Sequence, residues 1–128
     1  MGAMSEPVGA GAAKPYRSLT QAVSANLATL RRGQPEMMKG FSDLAAAASR
    51  DGALDRKTKE LIALALGVAA HCDACIGFHM QALVKLGVTR AEVEEALGMT
   101  VYMGGGPSLM YSANALAAFD EFSAPPIA

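Results

Sequence analysis

One stretch constrains this chain more than any other: residues 61–70, LIALALGVAA, ten apolar residues behind a charged lead-in of Arg56, Lys57, Lys59 and Glu60. Ten residues fall well short of the roughly twenty that cross a bilayer, so the run reads as a buried helix. Alternating Val, Ile and Thr with hairpin turns is missing throughout, so no strand competes for a place beside it. Only helices remain to cover it. At 128 residues, the chain is read as one all-α domain with a modest core.

The punctuation divides that domain into about six short helices. Leu19, Val23, Leu27 and Leu30 recur at helical spacing up to Gly33. Pro35 suits the first turn of a second helix, which runs through Met38, Phe41, Leu44 and Ala48 to about Arg50. Asp55 is an N-cap for a third helix over residues 56–70. A fourth starts around Cys72 and stops at Leu86 before Gly87. Thr89 and Glu92 have the spacing of a capping box for a fifth, which ends before Gly104. Pro107 opens a sixth, continuing to about Phe122. Residues 1–15 read as a flexible arm, with a tag remnant at 1–3, ahead of a helical domain over 16–122. Residues 123–128 read as a fraying tail. Gly104-Gly105-Gly106 lacks the strand and lysine of a phosphate loop and reads as a close helix-to-helix turn.

Hydrophobic residues make up 52% of the chain but aromatics only 5%, so Ala, Leu, Val and eight Met must fill the core. A chain this small and apolar has more greasy surface than it can hide alone, and a homo-oligomer is expected. Eleven basic residues oppose twelve acidic ones, which gives no reason to expect nucleic acid or an anionic membrane as partner. Two cysteines are too few for a secreted disulfide scaffold, and no signal-peptide pattern opens the chain. A cytoplasmic location is expected. There a lone thiol pair is more often catalytic or metal-binding.

Both cysteines and both histidines fall within nine residues, His71-Cys72-Asp73-Ala74-Cys75-Ile76-Gly77-Phe78-His79. At about 100° per residue, Cys72, Cys75 and His79 share one helix face. Thiols three apart on a first turn can close a disulfide, and the positive helix end favours thiolate there. His79 stands one turn beyond Cys75 and is its natural proton partner. Glu60, the last charge before the apolar run, is costly to bury unless something pairs with it. A helix returning antiparallel would bring it near His79.

Other readings of the same residues stay open at this point. The cysteines can be small buried hydrophobes, and Glu60 a solvated helix charge. His71, Cys72, Cys75 and His79 can be zinc ligands, although four ligands on one short helix do not easily surround an ion. No metal or other cofactor is expected. His71 reads as a helix-start residue rather than a catalyst.

Taken together, Glu60, eleven intervening residues and Cys72-x-x-Cys75-x-x-x-His79 resemble the motif of the carboxymuconolactone decarboxylase superfamily, in its alkylhydroperoxidase D-like branch. The flanking segments 54–65 and 101–107 are also similar, and the likeness spans about residues 19–122. The resemblance implies an all-helical fold assembling as trimers or hexamers. It implies a thiol-dependent peroxidase or disulfide oxidoreductase that reduces hydroperoxides through a Cys–Cys disulfide, recharged by a partner thiol system. By position it makes Cys75 the attacking thiolate, Cys72 the resolving thiol, and His79 with Glu60 the proton relay. The well-studied peroxidase members carry His before the second cysteine, where this chain has Ala74. That departure leaves room for another disulfide or electrophile as substrate. A redox-sensing or scaffold oligomer with little turnover is the alternative.

Overall fold

A computed structural model describes residues 15–125. The expected arm, apart from Pro15, lies outside the described residues, as do residues 126–128 of the tail. The described residues form six helices: α1 (Tyr16–Gly33), α2 (Pro35–Ser49), α3 (Arg56–Ala69), α4 (Asp73–Lys85), α5 (Arg90–Gly104) and α6 (Gly106–Ser123). Among the described residues there is no strand. No helix among them is long and apolar enough to cross a membrane.

Local chemistry explains most of the boundaries. The Asp55 carboxylate accepts from the Thr58 backbone N–H at 2.8 Å and starts α3. Both halves of the Thr89–Glu92 capping box are made at the start of α5. Both α3 and α4 end in the same hydrogen-bonded turn. After α4, Gly87 N–H reaches Val84 O and Val88 N–H reaches Leu83 O, with Gly87 left-handed at φ 78°. After α3, His71 N–H reaches Val68 O and Cys72 N–H reaches Gly67 O, but the left-handed residue is His71, φ 57°. The α3 turn thus puts an imidazole where glycine is the usual occupant.

Helix α1 begins one turn before the Leu19 of the sequence pattern, because a distant residue caps it. The Glu121 carboxylate of α6 accepts from Tyr16 N–H at 2.9 Å and from Arg17 N–H at 3.0 Å. At the other end of the domain, Ser123 still belongs to α6 rather than to a frayed tail. Ala124 N–H bonds to Asp120 O at 3.2 Å.

The core lies where α4 meets α1, α3 and α6. It holds Tyr16, Leu64, Val68, Ile76, Met80, Leu83, Val93, Ala115 and Ala118, with Val88, Leu97 and Phe122 at its edge. Helix α4 is central because glycines let its neighbours approach. A Cβ at Gly77 would lie 2.6 Å from Thr20 Cγ2, and one at Gly67 3.1 Å from Cys75 Cβ. One expectation needs correction. The apolar run 61–70 is not buried all round: Leu64 and Val68 face the core, whereas Ile62 and Leu66 are exposed. Helix α3 packs against α4, α5, α6 and α2, and these neighbours still leave the face that carries Ile62 and Leu66 uncovered.

Candidate functional site

The turn between α3 and α4 folds the chain back on itself, and the antiparallel pairing assembles the site. Cys72 is the N-cap of α4 rather than its first helical residue, with extended backbone at φ −107°, ψ 96°. Its Sγ accepts from the Cys75 backbone N–H at 3.2 Å. The two cysteines are joined in a disulfide, with Cα atoms 5.3 Å apart. The pair is therefore partly buried at a helix N-terminus, where exposed N–H groups favour negative charge on sulfur. Gly67 provides the close approach of α3 to Cys75, and its carbonyl also binds Cys72 N–H at 3.0 Å.

Two turns earlier along α3, Glu60 is 8% exposed and faces His79. His79 Nδ1 lies 2.6 Å from Glu60 Oε2. This pairing answers the cost of a buried carboxylate and fixes the ring's orientation. With Nδ1 taken, Nε2 is the ring nitrogen left to exchange a proton with a reactant. All four residues picked from sequence thus lie along one α3–α4 seam: Glu60 with His79 at one end, Cys75 at Gly67 and then Cys72 at the other.

A pocket of about 240 Å³ opens beside the Glu60–His79 pair. Ala45, Ala48 and Ser49 of α2 form one wall, and Lys59, Glu60 and Ala63 of α3 with His79 form the other. Alanines give this space its size; a larger side chain at any of them would fill it. The Lys59 Nζ donates to Arg50 O at 2.6 Å, tying the start of α3 to the end of α2.

His71 stands outside the seam, stacked on Tyr111 of α6 with ring centroids 4.7 Å apart and planes at 10°. Among the described residues no three His, Cys, Asp or Glu side chains converge to hold a metal ion. Sequence reasoning missed Tyr16, which is fully buried and donates its hydroxyl to Asp73 Oδ1 at 3.1 Å. Extending the α1 spacing back from Val23 through Thr20 to Tyr16 would have included the ring in the helix. Its partner, 57 positions away, has no local signal.

Comparison with known proteins identifies a family for the chain. The model of the Carboxymuconolactone decarboxylase family matches residues 35–118. A carboxymuconolactone decarboxylase family protein from Legionella pneumophila is 60% identical, covers 88% of this chain and 100% of its own, and superposes with a TM-score of 0.85. A Thermotoga maritima family member, for which a part in the antioxidative response has been suggested, is 29% identical with a TM-score of 0.72. That match covers 80% of this chain and 87% of the Thermotoga chain. An uncharacterized protein of Cupriavidus necator is 39% identical over 102 residues, 80% of this chain and 90% of its own length.

Proposed function

The chain belongs to the carboxymuconolactone decarboxylase family, and we propose that within it this protein works as a cytoplasmic thiol-dependent peroxidase or disulfide oxidoreductase. One observation carries the reading. A Cys72–Cys75 disulfide sits at a helix start, on the same seam as an imidazole ordered by a buried carboxylate. The antioxidative role suggested for the Thermotoga relative supports it.

In the reduced protein His79 takes the Cys75 proton, with Glu60 balancing the imidazolium. The Cys75 thiolate attacks the terminal oxygen of a hydroperoxide and the O–O bond breaks. His79 returns the proton to the departing alkoxide, which leaves as alcohol, and Cys75 becomes a sulfenic acid. Cys72 attacks that sulfur, the hydroxyl leaves as water with the Cys72 proton, and the disulfide forms. Summed, one hydroperoxide and two thiols give one alcohol, one water and one disulfide. A dithiol partner protein then reduces the disulfide by exchange and is itself oxidised.

Peroxide consumption with a dithiol reductant should vanish in Cys75→Ser and in Cys72→Ser. His79→Gln should slow it by about 10²–10⁴-fold. Unchanged turnover in Cys75→Ser would sink the proposal. Ala74, where the studied peroxidases carry His, favours a second reading: a redox-sensing oligomer that turns over little. In that case the disulfide would form reversibly and alter assembly, without sustained peroxide loss. Both readings take the protein as a homo-oligomer, a trimer or hexamer, with no nucleic acid or membrane partner.

A further inference from the structure

Tyr16 and Asp73 meet beside the dithiol, yet the thiol chemistry above gives neither a task. Tyr16 is fully buried as the first residue of α1, and its hydroxyl donates to Asp73 Oδ1 at 3.1 Å. The residue is held at its backbone and at its hydroxyl. Glu121 of α6 binds its backbone N–H at 2.9 Å, and Asp73 of α4 binds its hydroxyl. The ring also has a fitted space, since a Cβ at Gly77 would lie 3.5 Å from Tyr16 Cδ1. Burial first, then the charge and hydrogen bond of Asp73, push the Tyr16 hydroxyl above the ordinary phenol range. It therefore remains a neutral donor at every pH where thiols titrate.

Asp73 lies between the cysteines in sequence and is the first residue of α4. The positive end of that helix has two claimants, the Asp73 carboxylate and any thiolate that forms. A fixed anion close to a thiol opposes its ionisation. The direction in which the carboxylate points therefore bears on the thiols, and the Tyr16 hydroxyl holds one of its oxygens.

We propose that Tyr16 and Asp73 form a positioning pair that tunes the dithiol, with the Tyr16 hydroxyl aiming the Asp73 carboxylate and so setting the thiolate fraction of Cys75 and the reduction potential of the Cys72–Cys75 couple. This deepens the functional reading above and rests on it. The other charged and titratable groups around the pair include Arg17 of α1, Tyr111 and Glu121 of α6 and His71 of the preceding turn, with Glu60 of α3 and His79 of α4 further along the seam. None of them changes in the test.

Two quantities read the pair: the pH midpoint of Cys75 alkylation in reduced protein, assigned by mass spectrometry, and the reduction potential in dithiothreitol or glutathione buffers. Asp73→Asn keeps an acceptor for Tyr16 while removing the charge. Its midpoint should fall by about one pH unit. Its couple should become more oxidising, because the reduced form gains thiolate stabilisation. Tyr16→Phe keeps the ring and removes the hydroxyl's hold on the carboxylate, so the midpoint should rise by roughly half a unit. In the double variant Tyr16→Phe should add nothing to Asp73→Asn.

An equal Tyr16→Phe shift without the carboxylate would mean the residue acts through packing, and the proposal fails. It fails equally if Asp73→Asn leaves both quantities unmoved. Should Tyr16→Phe not fold, Asp73→Glu replaces it, keeping the charge but moving it off the hydroxyl, with the same rise expected. A parent protein that forms no reversible disulfide would sink the functional reading along with this one. A reversible couple that ignores these variants would sink the positioning pair alone.

Discussion

His71 shows how much one backbone angle can conceal. It occupies the left-handed position that Gly87 fills in the matching turn after α4. Left-handed backbone costs a residue with a Cβ about 1–2 kcal/mol. The stack on Tyr111 offsets part of this, about 0.5–1.5 kcal/mol. His71→Ala loses the stack and keeps the strain, whereas His71→Gly loses both. Denaturant unfolding of the oxidised protein should therefore find His71→Gly more stable than His71→Ala by about 1 kcal/mol, despite glycine's greater freedom in the unfolded chain. An alanine variant as stable as the glycine one would rule out the left-handed turn. None of this was legible in the sequence, where His71 reads as a helix-start residue. Cys72, Cys75 and His79 were legible because their spacing is local to one turn or two. Glu60 was legible as a candidate, but its contact with His79 depends on how two helices pack.

At the scale of elements, local signals and tertiary ones separate cleanly. The caps at Asp55 and Thr89 and the stop at Gly87 lie in short sequence windows, so the boundaries of α3, α4 and α5 could be read. The start of α1 could not, because Glu121 supplies its cap from 105 positions away. Close helix approach was equally hidden: Gly77 looks like any helical glycine until Thr20 is placed against it. Gly77→Ala would press its Cβ into the Thr20 methyl, 2.6 Å away, and should cost about 1–3 kcal/mol. Thr20→Ser removes that methyl and should recover most of the loss in a double-mutant cycle, while additive losses would contradict the contact. The α5 cap carries a pH signature. Glu92's carboxyl is held below its ordinary value of 4.5, first by the Thr89 backbone N–H and then by Lys57. A lowered folded value means that its stabilisation is complete above the ordinary value and fades as pH falls through the lowered one. Glu92→Gln should thus be less stable than the parent at neutral pH, with the gap closing as pH falls below the ordinary carboxyl value and through the lowered one. A gap independent of pH would refute the charge's role.

For the whole molecule, the unanswered term is apolar surface. Phe41 and Leu44 on α2, Leu66 on α3, and Tyr102 and Met103 on α5 are all more than 60% exposed, far more large apolar side chain than one small domain usually shows. The exposed edge of the 61–70 run belongs to this surface. Between α3 and α5 it forms an apolar groove of about 250 Å³, lined by Ala65, Leu66, Ala69, Met99, Thr100, Met103 and Gly104. Helix periodicity marks these residues as core candidates but does not say whose core. Assembly of identical chains would supply the missing side. Leu66, 65% exposed, separates the alternatives. On a monomer's surface, Leu66→Glu should change stability by no more than about 0.5 kcal/mol. Buried between chains, the same carboxylate would lack a partner and weaken association strongly. Sedimentation should find the parent as an oligomer, with a melting temperature that rises with protein concentration. In Leu66→Glu the mass should drop and the concentration dependence flatten. A monomeric parent whose melting ignores concentration would leave the exposed face without a partner copy and would overturn the assembly argument.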